Sequence, residues 1–173
     1  MRFPRSCGTL AHPTSFPGKY GIGDFGFEAR TFINFLEETH QTIWQVLPLT
    51  PTGYGNSPYA SYSAFAGNAY LISPDILVKK ELLTKKEAQF AELSSTTEVN
   101  YEAAFQRKDV LFEKASARFY ERITKEEEKK FKAFKKANKH WIDDYVLFIA
   151  CGKHYGMQPW NTWDVDIAQR KPA

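Results

Sequence analysis

The sequence predicts an α/β fold that opens with one parallel βαβ unit and continues as a helical half. Three observations lead there. Two short apolar runs, residues 7–11 and 42–47, read as strands. Between them Phe25, Ala29, Phe32, Ile33 and Leu36 recur at helical spacing. Beyond residue 73 nearly every segment shows helix periodicity with recognisable starts.

Strand, helix and strand in that order imply two parallel strands joined by a right-handed crossover. Strands this uniformly apolar belong to a sheet covered on both faces. The helix is expected from Phe25 to about His40, with Asp24 as its cap and Glu28 in its first turn. Residues 70–72 read as a further short strand. Ser73 and Pro74 then open a helix that runs to about Leu83. Thr84 with Glu87 forms a capping box for the next helix, to about Leu93. Residues 94–100 are polar and read as a loop. From Tyr101 onward Phe105, Phe112, Ala115 and Phe119 mark a long helix, and Thr124 with Glu127 caps another. Phe131, Phe134, Trp141, Tyr145 and Phe148 carry the apolar stripe on, with a break near Asn138. The residues from Trp160 show no clear period.

Both strands lead into loops rich in turn residues. Residues 12–23 hold two prolines and three glycines, which fix a shape. Residues 48–68 form a loop of about twenty residues, dense in Tyr, Ser and Asn. Structureless loops of that length usually carry function. In parallel α/β folds such loops leave the C-terminal strand ends, so the two are expected to flank one cleft. Aromatic faces beside hydroxyls and amides suit a neutral polyhydroxylated ligand.

Composition excludes several classes. The net charge is only +3, and Glu126, Glu127 and Glu128 sit among the lysines of residues 125–139. That pattern reads as a solvated helix face, so no nucleic-acid partner is expected. No run of eighteen apolar residues exists, which argues against a membrane partner. Cys7 and Cys151 show neither metal spacing nor a disulfide framework. With no apolar signal core at the N-terminus, a cytoplasmic location is expected.

The stretches HPTSFPGKYGIGDFG, WQVLPLTPTGYGNSPYASYSAFAGN and IDDYVLFIACGKHYGMQPWNTW resemble the N-terminal region of the 4-α-glucanotransferases, also called amylomaltases or disproportionating enzymes. The resemblance covers essentially the whole chain. It implies the N-terminal part of a (β/α)8 TIM barrel, incomplete here. Residues 1–73 would be the first barrel units with substrate loops, 74–159 a helical insertion, and 160–173 a tail toward the remainder of the barrel. It implies transfer of α-1,4-glucan segments between malto-oligosaccharides with retention of configuration, through a carboxylate nucleophile and a carboxylic acid/base. That chemistry implies no metal or organic cofactor. The implied partners are α-1,4-glucans and the rest of the barrel.

In the family the nucleophilic Asp, the acid/base Glu and a stabilising Asp lie on later strands than this chain reaches. No catalytic residue is therefore expected here, and the chain alone is expected to be inactive. Asp143 and Asp144 are adjacent on a helix and point about 100° apart. Substrate contacts do carry over. Tyr59 matches the family tyrosine of the SPY motif, which stacks on the glucosyl unit at the cleavage point. Ser57 and Asn56 match positions lining the same subsites, with Asn56 standing where Asp is usual and Ala69 where Pro is common. Tyr54, flanked by Gly53 and Gly55, reads as a second glucan platform or an ordinary surface tyrosine. His12 reads as a cleft residue or as the hydrogen-bonding centre of its proline-flanked turn. The alternative to an enzyme segment is a glucan-binding or regulatory module that works alone.

Overall fold

The computed structural model describes residues 4–93 and 98–171. The expected βαβ unit is present. Strand β1 (Gly8–Leu10) pairs in parallel with β2 (Ile43–Gln45), with Gly8 opposite Ile43 and Leu10 opposite Gln45. Helix α1 (Phe27–Glu38) connects them and buries Ala29 and Leu36. Phe32 packs edge-on to Trp44, centroids 5.3 Å apart, and tilts against Phe16 at 4.9 Å. Trp44 donates its indole N–H to the Ala11 carbonyl at 2.7 Å, tying β2 to the exit of β1. Gly8 is required by a close approach, because a Cβ there would collide with Ile43.

Four expectations are corrected. Asp24 does not cap α1; the N-cap is Gly26, and Asp24 pairs instead with Lys108. Residues 70–72 are not a strand. Asn68 caps a 3-10 turn over Ala69–Leu71, since its side chain accepts the Tyr70 N–H and bends the chain. The strands are not covered on both faces within this chain. Leu10, Ile43 and Val46 are exposed, because among the described residues the sheet has two strands with α1 as their connecting helix. The second long loop also has structure of its own, described below.

The chain groups into two compact units, one ending at Ile123 and the other beginning at Thr124. In the first, α2 (Pro74–Lys79), α3 (Lys85–Phe90) and α4 (Tyr101–Arg122) follow the sheet. Their shared core is Leu83, Ala88, Ala91, Leu111 and Ala115, closed by Tyr20 from the first loop. The Thr84–Glu87 capping box is formed. The first four residues of the loop expected at 94–100 lie outside the described residues.

In the second unit, α5 (Lys125–Ala137) opens on the Thr124–Glu127 capping box and ends at Asn138. It buries none of its residues, and Lys130 and Lys132 pair with Glu126 and Glu128 one turn back. This is the solvated face expected of interleaved charges. Helix α6 (Ile142–His154) follows, then a 3-10 turn Trp160–Thr162 and the short α7 (Val165–Ala168). Trp163 stacks on Tyr155, with centroids 5.4 Å apart and planes 13° apart.

Candidate functional site

The two loops leave the C-terminal ends of β1 and β2 and meet. Their meeting point is a cavity of about 170 Å³ lined by His12, Thr14 and Ser15 from the first loop and Thr52, Asn56 and Asn68 from the second. Tyr101 and Phe105 of α4 supply an aromatic wall. None of the lining residues carries a carboxylate or an ammonium group. Whole ligand pockets measure roughly 300–1,000 Å³, so this cavity is smaller than one.

His12 is buried and holds its turn. Its Nδ1 accepts from the Thr14 backbone N–H at 3.4 Å and lies 2.7 Å from the Thr14 hydroxyl. Nε2 points at the Pro48 carbonyl at 3.4 Å. The imidazole therefore joins the start of one loop to the start of the other while facing the cavity.

The second loop is folded back on itself. Thr52 and Ser61 form an antiparallel bridge, and Ala60 donates to the Ser57 carbonyl at 3.1 Å. A 3-10 turn covers Tyr54–Asn56, with Gly55 at φ 71° and Asn56 at φ 55°. Asn is among the few non-glycine residues that adopt positive φ readily, and Asp is another. The conformation at this position is therefore one that either residue can adopt. Ser57 Oγ accepts from the Tyr59 N–H at 3.3 Å and so shapes the turn that presents Tyr59. Tyr59 is 75 % exposed and Tyr54 95 % exposed, and neither lines the cavity. The structure thus brings His12 and Asn56 into one cavity, places Ser57 behind Tyr59, and leaves both tyrosine rings open to solvent.

Asn68 was legible as one of the second loop's hydrogen-bonding side chains, whereas Tyr101 and Phe105 were not singled out as site residues. Asn68 reaches the cavity from the cap of the 3-10 turn, and Tyr101 and Phe105 reach it from α4. Phe105 was legible only as one residue of an aromatic stripe. Its ring lies flat on Tyr70, centroids 3.9 Å apart.

The family model for the glycoside hydrolases described as 4-alpha-glucanotransferases matches residues 11–173. The chain belongs to the 4-alpha-glucanotransferase family. It is 42 % identical over 171 residues to a 4-alpha-glucanotransferase of Thermus thermophilus, covering 99 % of this chain and 33 % of that protein. It is 43 % identical over 161 residues to one from Clostridium butyricum, covering 92 % and 32 %. The solved amylomaltase of Streptococcus agalactiae, in complex with acarbose, superposes with a TM-score of 0.88 at 37 % identity over 98 % of this chain and 34 % of that one. The chain therefore spans about a third of the length of the 4-alpha-glucanotransferases it matches. Among the described residues no helix is long and apolar enough to cross a membrane.

Proposed function

We propose that this chain supplies the glucan-binding loops of a 4-alpha-glucanotransferase, an enzyme moving α-1,4-glucan segments between malto-oligosaccharides in the cytoplasm. The observation that carries the reading is the uncharged cavity beside Tyr101 and Phe105, where hydroxyls and amides stand among the apolar Ile22, Leu47 and Pro58 and both strand-exit loops meet. A malto-oligosaccharide offers what such a surface binds: hydroxyls for Asn56, Asn68 and Thr52, and C–H faces for aromatic rings. Tyr59 and Tyr54 extend that surface outward as stacking platforms, and Ser57 and His12 hold it in shape.

The transfer chemistry needs two carboxyl groups about 5–5.5 Å apart, one of them protonated. Six of the carboxylates here are committed to cations. Asp24 is held by Lys108, Glu87 by Arg118, Asp144 by Arg170 and Asp166 by Lys171. Asp75 and Glu92 share Lys19 at 3.1 and 3.2 Å. Partial burial works against that ammonium, but its hydrogen bonds to Asp75 and Glu92 prevail and raise its pKa. The reacting carboxylates thus come from the rest of a (β/α)8 barrel, in which residues 1–73 are the first units, 74–159 a helical insertion and 160–173 the lead into later strands. The exposed Leu10 and Ile43 of the sheet, with Val46 just beyond β2, are the contact surface for that remainder.

Maltotriose incubation tests the reading. The isolated chain is expected to bind maltoheptaose saturably and to release no glucose. Co-expression with the two thirds of the Thermus thermophilus relative that it does not match is expected to restore glucose release. Glucose release by the isolated chain would overturn the absence of catalytic carboxylates. Saturable binding without restoration would favour a binding module that works alone.

A further inference from the structure

Helix α4 carries a lysine where its apolar period asks for a hydrophobic residue. Ala104, Lys108, Leu111 and Ala115 recur on one face, and all four are buried, Lys108 with no exposed area at all. An ammonium kept from water must find partners. Lys108 Nζ donates to Asp24 Oδ2 at 3.1 Å, to the Tyr70 carbonyl at 2.8 Å and to the Ile72 carbonyl at 3.4 Å. Asp24 closes the first loop, and Tyr70 and Ile72 close the second. Between these contacts the Phe25 N–H donates to the Leu71 carbonyl at 2.9 Å. One side chain from one helix thus spends its three donors on the ends of both loops.

The same contacts reach the cavity. The Tyr70 N–H donates to Asn68 Oδ1, and Asn68 lines the cavity. The Tyr70 ring lies on Phe105, which also lines it. A shift of Lys108 is therefore felt by one wall residue on each side. Burial pulls the Lys108 pKa down, and Asp24 opposes the change. Buried ion pairs are poor sources of stability compared with apolar residues of the same volume, and their best-attested use is to fix one geometry against others.

We propose that Lys108 is a positioning residue for the glucan subsite, setting the two loops relative to each other and to the Phe105 wall. This rests on the reading of the cavity as a glucan subsite. The test compares the full chain with Lys108→Met and with the double variant Asp24→Asn/Lys108→Met, which removes both buried charges. Three quantities are read: urea stability, maltoheptaose affinity, and hydrogen exchange at the Gly23, Asn68 and Ile72 amides. Lys108→Met is expected to lose stability and the double variant to regain most of it. Affinity in the double variant stays at least tenfold weaker than in the parent chain, and the three amides exchange at least tenfold faster. Parent-like affinity and exchange in the double variant would overturn the proposal, leaving the pair as a replaceable part of the core. If the parent chain shows no saturable maltoheptaose binding, the glucan reading fails, while exchange at the loop amides still decides the positioning role. If the methionine variants do not fold, Asp24→Ala keeps the lysine on Tyr70 and Ile72 and releases the first loop alone. Faster exchange at Gly23 with Asn68 unchanged then supports the pin, and equal change at both overturns it.

Discussion

Arg118 grips Glu87 with two parallel hydrogen bonds, Nη1 to Oε2 and Nη2 to Oε1, each 3.0 Å long. Glu87 Oε2 also accepts the Thr84 N–H at 2.7 Å, so one carboxylate closes the N-terminus of α3 and binds α3 to α4. The paired guanidinium comes first, and the Thr84 N–H second, in holding its pKa down at about 2, against an ordinary value of 4.5. A carboxyl whose folded pKa is depressed contributes stability above its unfolded pKa and loses it as pH falls through the folded one. Glu87→Gln is expected to cost about 1–2 kcal/mol at pH 7. The gap between variant and parent should narrow below pH 4.5 and close near pH 2. Urea unfolding at pH 7, 4 and 2.5 measures it, and a gap independent of pH would refute the assignment.

His12→Ala should destabilise the chain by about 1–2 kcal/mol, because it leaves the Thr14 N–H and the Pro48 carbonyl without their shared partner. The loss is expected to be local. Hydrogen exchange should accelerate at Gly23, whose N–H donates to the Thr14 carbonyl at 3.1 Å, and remain slow in α4. Uniform acceleration across both would show that His12 supports the whole unit rather than the loop junction.

Two glycines separate steric from conformational demand. A Cβ at Gly23 would collide with the Pro13 carbonyl and lie 2.7 Å from the Phe16 carbonyl, both backbone atoms that cannot move aside. Gly23→Ala is expected to cost about 3 kcal/mol. Gly55 has open space around it but sits at φ 71°, so Gly55→Ala should cost only about 1 kcal/mol. Thermal unfolding of the two variants gives the ranking, and a reversed order would contradict the loop geometry.

Periodicity and capping carried most of the fold. The βαβ order, both capping boxes and the break at Asn138 follow from local rules, which act within one or two turns of helix. The misreadings share a different cause. Asp24 has the residue type and position of a cap, yet a lysine 84 residues later claims it, and no local rule contains that distance. Tyr70-Leu71-Ile72 has strand composition, but the Asn68 side chain bends it into a 3-10 turn. Apolar strands imply a covered sheet, and the cover need not come from the same 173 residues. At the site, His12 and Asn56 were legible as loop chemistry, whereas Tyr101 and Phe105 looked like ordinary helix residues. Lys108 left one signal in the sequence, a charge placed in step with Ala104, Leu111 and Ala115.

Tyr59 and Tyr54 present rings to solvent at 75 % and 95 % exposure, so little of their surface contributes to folding. Replacing either by Ala should change stability by less than about 0.5 kcal/mol. Binding should respond differently. A ring face that stacks on a ligand contributes about 0.5–1.5 kcal/mol, equivalent to roughly twofold to tenfold in affinity. Tyr59 stands in the turn shaped by Ser57, whereas Tyr54 stands at the tip beside Gly55. Tyr59→Ala is accordingly expected to weaken maltoheptaose binding about tenfold, and Tyr54→Ala to weaken long maltodextrins more than maltotriose, since an outlying platform is reached only by a longer chain. Equal losses for all glucan lengths in Tyr54→Ala would place that ring in the same subsite as Tyr59. Unchanged affinity in both variants would remove the exposed tyrosines from the binding surface and leave the cavity of His12, Asn56 and Asn68 to account for it.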